Sequence, residues 1–165
     1  MPRVKLNSIV YGGGQERNIR SGTLNVPGIV GFAKAVEIAI AEMNEENIKF
    51  KKWTDNMLEK FSKVGGKLNG HPTNRLLHNL NIGFDGIESK AIINSVSKKI
   101  AISAGSACTT QNVEPSHVLL ALGLNEEQSH YAIRIGCGRF NTDEDIETAI
   151  SEILNSLESL AKIRI

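Results

Sequence analysis

Leu80-Asn81-Ile82-Gly83-Phe84-Asp85-Gly86, residues 80–86, is the stretch that decides the fold class. Leu80, Ile82 and Phe84 alternate with small or polar residues, so all three lie on one face of a strand, and Asp85-Gly86 is a dipeptide that ends one. Upstream the period changes. From Pro27 on, Ile29, Phe32, Val36, Ala39 and Met43 recur at steps of three and four. After a weak stretch at Asn44 to Asn47, the pattern resumes with Phe50, Trp53, Met57, Phe61 and Val64. That spacing predicts one long helix, with the asparagines as the place for a bend and Gly65-Gly66 as its stop. Downstream, Ala91, Ile92 and Val96 predict a helix, and Ile100 to Ser103 a short strand. Pro115 suits the first position of a short helix with Val118, Leu119 and Leu122 as its apolar face and Gly123 as its end. Tyr131, Ile133 and Ile135 alternate as a strand, which turns Arg134 to the opposite face. Thr142 suits the cap of a last helix with the stripe Ile146, Ile150, Ile153, Leu157 and Leu160. The order after the long helix is βαβ-loop-αβα. This predicts an α+β domain: a short sheet covered by helices, behind a long helix.

Residues Met1 to Pro27 read differently. Gly12-Gly13-Gly14 and Ser21-Gly22-Thr23 interrupt any period, which predicts an extended polar arm that needs something else to fold against. Composition sets the outer bounds. The chain has 165 residues, an apolar fraction of 41% and a charged fraction of 22%, which suits one ordinary domain with an appended arm. A net charge of +1 gives no electrostatic case for nucleic acid or an anionic membrane. No apolar run approaches the ~18 residues that a membrane span needs. The two cysteines, Cys108 and Cys137, form neither a CxxC pair nor a disulfide framework, so a reducing cytoplasm is expected. His71, His78, His117 and His130 have no ligand spacing with either cysteine, and no metal site is expected.

Three constellations carry chemistry. The first is Gly12-Gly13-Gly14-Gln15-Glu16-Arg17-Asn18-Ile19-Arg20-Ser21-Gly22-Thr23. Backbone N–H groups, hydroxyls and two arginines suit an anion cradle, and equally a surface loop with solvated arginines. It lacks the Gly-Lys-Ser/Thr ending of a Walker loop. The second is Ser103-Ala104-Gly105-Ser106-Ala107-Cys108-Thr109-Thr110, a lone cysteine among the smallest side chains. Such neighbours bury little area, so from Ala104 to about Val113 the chain is expected to be mobile with Cys108 exposed. A reactive thiol and an ordinary loop cysteine both fit, and His117 downstream leaves a Cys–His hydrolase open. The third is Arg134, either a carboxylate fork or a surface arginine on the solvent side of a strand. Cys137 reads as structural.

Read jointly, these segments resemble the cysteine desulfurases of the class V aminotransferase family, in the branch with a long cysteine loop. The matching residues are Gly12-Gly13-Gly14-Gln15-Glu16-Arg17…Arg20-Ser21-Gly22-Thr23, Ser103 to Thr109, Glu114-Pro115-Ser116-His117-Val118-Leu119…Ala121-Leu122-Gly123, and Ile133-Arg134…Gly138-Arg139-Phe140. They run in the family's order along nearly the whole chain. The resemblance implies the small C-terminal domain of a fold-type I pyridoxal-phosphate enzyme over residues 28–165, with residues 1–27 as an arm of the absent large domain. It implies conversion of L-cysteine to L-alanine, with sulfur passed on as a persulfide for iron–sulfur cluster or tRNA thiolation pathways. Cys108 matches the cysteine that takes the sulfur, and it is also where a transient iron–sulfur contact would be made. Arg134 matches the arginine that grips the substrate carboxylate. Thr23 matches the residue that reaches the cofactor phosphate of the other subunit in a homodimer.

The family's cofactor lysine lies upstream of the stretch that opens here at Met1, and Lys5, in Arg3-Val4-Lys5, resembles the segment after it. The chain is therefore expected to be the C-terminal portion of an enzyme more than twice its length, inactive and without bound pyridoxal phosphate by itself. Its expected partners are L-cysteine and a sulfur-acceptor or iron–sulfur scaffold protein. The alternative to an enzyme portion is a cofactor-free persulfide acceptor or scaffold-docking module.

Overall fold

A computed structural model describes residues 4–104 and 115–163. The chain divides into two compact units, residues 1–43 and 44–165. That division lies inside a single long helix, α1 (Val26–Ser62), whereas the composition change at Pro27 lies ahead of it.

In the first unit the arm folds on its own polar groups. Val10 and Arg20 form an isolated parallel bridge, closed by the Ser21 amide on the Val10 carbonyl at 3.1 Å. Between them Glu16, Arg17 and Asn18 make a left-handed turn with φ of 50°, 57° and 62°. Residues with a Cβ rarely enter that region, Asn being the most tolerant of the three. The Asn18 amide, 3.2 Å from the Gly14 carbonyl, helps to hold it. Asn25 caps α1, its Oδ1 accepting from the Gly28 amide at 3.1 Å. The predicted helical stripe is present, yet Ile29, Phe32, Val36 and Met43 are all exposed, as are Val4, Leu6, Ile9 and Tyr11 of the arm.

In the second unit α1 buries Phe50, Trp53, Met57 and Phe61. It ends at Ser62, so Val64 falls beyond it and is exposed. Gly65 takes φ of 85°, and the chain re-enters at once as β1 (Gly66–Leu68), a strand where the sequence suggested only a stop. The other elements are β2 (Asn79–Phe84), α2 (Ser89–Val96), β3 (Ser103–Ala104), α3 (His117–Ala121), α4 (Glu126–His130), β4 (Ala132–Gly136) and α5 (Asp143–Ile163). The sheet has the order β1-β2-β4-β3, and each pair is antiparallel.

Leu80, Ile82, Phe84, Ile133 and Ile135 point to one face, as their alternation required. There they meet Ile92, Ile146, Ile150, Ile153 and Leu157 from the helices and the aromatic residues of α1. Each such side chain contributes ~1.5–3 kcal/mol by leaving water. Thr142 and Asp145 cap α5 reciprocally: the Asp145 amide donates to Thr142 Oγ1 at 3.2 Å, and the Thr142 amide to Asp145 Oδ2 at 2.9 Å.

Three local expectations change. The strand predicted over Ile100 to Ser103 is Ser103–Ala104. Pro115 precedes the cap residue Ser116 instead of opening α3, and of that helix's expected face only Leu119 is buried. Helix α4 was not anticipated, although Asn125 and Gln128 form a complete capping box at its start.

Candidate active site

The alternation that buries Ile133 and Ile135 leaves Arg134 exposed on the other face of the sheet. The register sets its neighbours: Asn81 stands opposite it on β2 and Ser103 on β3. Arg134 Nε donates to Ser103 Oγ at 3.2 Å. Asn81 is tied on its far side, its Oδ1 accepting from Asn69 Nδ2 at 2.7 Å. This polar face floors a cleft of about 280 Å³ whose walls include Arg75, His71, Ser116 and the apolar side chains of Leu76, Leu119 and Leu122.

Two details of the wall set its electrostatics. Arg75 Nη2 donates to the Asn79 carbonyl at 2.6 Å, while its Nε and Nη1 are buried with no hydrogen-bond partner among the described residues. Burial lowers the Arg75 pKa from its usual value, since the charged form has lost water. His71 Nδ1 accepts from the Thr73 and Asn74 amides at 3.1 and 2.8 Å, which holds the turn that carries it. With donors on the floor and an apolar wall, the cleft can take a small carboxylate with a short apolar side chain.

The described residues on either side of the cysteine-bearing stretch meet the cleft differently. Ser103, at its near end, touches Arg134, and Ser116, just past its far end, lines the same wall. Cys108 itself, with the expected mobility of its loop, lies outside the described residues. His117 opens α3 and is exposed. Cys137 is half-buried and hydrogen-bonded through its amide to the His78 carbonyl at 2.8 Å, and burial raises its thiol pKa.

In the arm, much of the anticipated anion cradle is already in use. The Gly14 and Gly22 amides donate to Ser21 Oγ (3.3 Å) and Gln15 Oε1 (2.9 Å), and Arg20 turns back onto the Gly22 and Thr23 carbonyls. What stays available is the exposed Thr23 hydroxyl beside Gly22, which adopts φ of 91°, together with Arg17. Among the described residues no cluster of His, Cys, Asp and Glu could hold a metal ion. No described helix is long and apolar enough to cross a membrane.

The sequence turned Arg134 to this face and included Ser103 in the cysteine-bearing stretch, but it did not place Asn81, Asn69 or Arg75 beside them. Asn81 carried a signal, since it alternates with Leu80 and Ile82 and so had to share a face with Arg134. Arg75 carried none, because only the fold of the segment before β2 brings it to the cleft.

The chain is 42% identical over 166 residues to the cysteine desulfurase IscS of Rickettsia africae (strain ESF-5), and 42% identical over 163 residues to that of Pseudomonas entomophila (strain L48). Each alignment takes in 98% of this chain but only 40% of the relative. A solved NifS-like protein superposes with a TM-score of 0.80 at 32% identity over 95% of this chain and 40% of its own. The NifS-like protein from Rickettsia africae ESF-5 does so at 0.79, with 29% identity over 94% of this chain and 41% of its own. The chain thus spans about two fifths of the length of these relatives. The aminotransferase class-V model matches residues 2–148, and with so much of its length accounted for the chain belongs to the aminotransferase class-V family.

Proposed function

We propose that this chain is the substrate-gripping and sulfur-handling portion of a cysteine desulfurase. The observation that carries the proposal is the juxtaposition at Arg134: a guanidinium on the polar sheet face, in a cleft that Ser116 also lines, bonded to Ser103 at the start of the stretch that holds Cys108. Arg134 binds the L-cysteine carboxylate through two parallel charge-assisted N–H···O bonds. Cys108, as its thiolate, attacks the substrate sulfur. An S–S bond forms and the Cβ–Sγ bond breaks; the bonding pair stays on carbon, where a proton completes L-alanine. L-Cysteine plus thiol gives L-alanine plus persulfide, so atoms and electrons balance. The exposed Thr23 hydroxyl, next to a glycine-permitted turn and without an internal partner among the described residues, fits a cofactor phosphate oxygen. In the reading carried from the family, that phosphate belongs to the other subunit of a homodimer. Pyridoxal phosphate, when bound there, supplies the electron sink that lets the carbon–sulfur bond break. The persulfide then passes to an acceptor or scaffold protein in the cytoplasm.

The first test is the reading frame upstream of this chain, which should encode the cofactor lysine. In the enzyme assembled with that segment, Cys108→Ala should abolish persulfide formation while L-cysteine still perturbs the cofactor spectrum. Arg134→Ala should instead weaken substrate saturation by about 1.5–3 kcal/mol with the thiol intact. A Cys108 variant that no longer binds L-cysteine, beside an Arg134 variant that binds it normally, would reverse the two assignments. Sulfide release by this chain alone with added pyridoxal phosphate would contradict the division of labour between the two portions.

A further inference from the structure

We infer that Ser103 is a positioning residue for Arg134, holding the guanidinium so that its outer edge, Nη1 and Nη2, is the edge offered to a carboxylate. The inference rests on the carboxylate reading of Arg134 and adds to it the direction of the grip. A guanidinium can take a carboxylate along either of two kinds of edge, one formed by Nε with one Nη nitrogen and the other by Nη1 with Nη2. Ser103 Oγ accepts from Nε at 3.2 Å, which occupies the first kind and leaves the second without a partner among the described residues.

The neighbouring strands explain why this task falls to Ser103. Arg134 has two cross-strand partners, Asn81 and Ser103. Asn81 Oδ1 is directed to Asn69 Nδ2, and of the two cross-strand neighbours Ser103 is the one whose side chain accepts from Arg134. The β3–β4 register fixes the distance, because Ser103 pairs with Arg134 and Ala104 with Ile133. A long, exposed arginine otherwise loses much rotamer freedom on gripping a ligand, and a bond at Nε made beforehand removes part of that loss.

The test is NMR on the full 165-residue chain with arginine side chains labelled with nitrogen-15, using acetate as the carboxylate probe. In the unsubstituted chain the Arg134 Nε–H should exchange slowly with water, and acetate should shift the Nη resonances while leaving Nε in place. Ser103→Ala should expose the Nε–H to fast exchange and weaken acetate about two- to tenfold, the range expected for one hydrogen bond. Ser103→Thr, which keeps the hydroxyl, should restore both. A merely structural serine would leave the Nε exchange rate unmoved, and that result would overturn the inference. Acetate shifting Nε itself would overturn it as well. Should Arg134→Ala bind acetate as well as the unsubstituted chain does, the carboxylate reading fails, and the Nε exchange in Ser103→Ala still decides the positioning role separately.

Discussion

Gly66 is the first residue of β1 and sits opposite Phe84 on β2. A Cβ added there would lie 2.8 Å from the Phe61 carbonyl oxygen, 2.9 Å from Ile82 Cδ1 and 2.9 Å from Phe84 Cε1. Carbon pairs rest at about 3.5–4.0 Å, so two of these contacts are short by more than half an ångström. None of the three neighbours is free to withdraw. The carbonyl belongs to the last turn of α1, Ile82 and Phe84 are buried at 0% and 2% exposure, and the Phe84 ring packs edge-on against Phe61 at 5.9 Å. Gly66→Ala should therefore destabilise the second unit by about 1–3 kcal/mol, the usual cost of overpacking.

Its neighbour provides the control. Among the described residues nothing lies within 4 Å of a Cβ at Gly65, whose φ of 85° makes Gly65→Ala costly, by about 1 kcal/mol, through backbone strain. Ile82→Val removes Cδ1 and should cost about 0.5–1.5 kcal/mol by itself. Combined with Gly66→Ala it should cost less than the sum by at least about 0.5 kcal/mol, because it opens one of the three clashes; combined with Gly65→Ala it should simply add. Urea unfolding followed by the fluorescence of the single tryptophan, Trp53, measures all of these. A Gly66→Ala chain within 0.5 kcal/mol of the parent, or strict additivity with Ile82→Val, would refute the steric account.

Three further outcomes are expected. The Asp145 carboxyl is held below its ordinary value of 3.8, first by the Thr142 amide and next by the Asn141 side chain, so the stability it adds is complete above about pH 4 and lost as pH falls through the lower folded-state value; Asp145→Asn should flatten that acid limb in denaturation curves taken from pH 2 to 6. Cys137, whose thiol pKa burial raises, should react slowly with a thiol reagent at pH 8 in the Cys108→Ala chain and rapidly once urea unfolds it; fast native reaction would contradict its half-buried setting. Asn125→Ala removes half of the α4 capping box and should cost about 0.5–2 kcal/mol in thermal or urea unfolding, whereas an unchanged midpoint would mean that α4 is held by packing alone.

The amino-acid sequence by itself determined which faces exist. Period two at Leu80, Ile82, Phe84 and at Ile133, Ile135, and steps of three and four in α1 and α5, are local geometry, so the strands, the long helices and the outward turn of Arg134 were legible residue by residue. So were the ends at Gly65 and Gly123, where a positive φ calls for glycine. Short elements were not legible: β1 has three residues and β3 two, too few for any period, and each exists because a neighbouring strand supplies its hydrogen bonds. Burial was only half legible. The stripe at Ile29, Phe32, Val36 and Met43 has the same helical spacing as Phe50, Trp53, Met57 and Phe61, yet only the second set is buried, because periodicity states that a face is apolar and not what will cover it. The site around Arg134 was decided by tertiary structure. Ser103 and the group Asn69, Arg75 and Asn81 all lie far from Arg134 along the chain, and only the β2–β4–β3 register together with the path of the segment before β2 brings them to its neighbourhood.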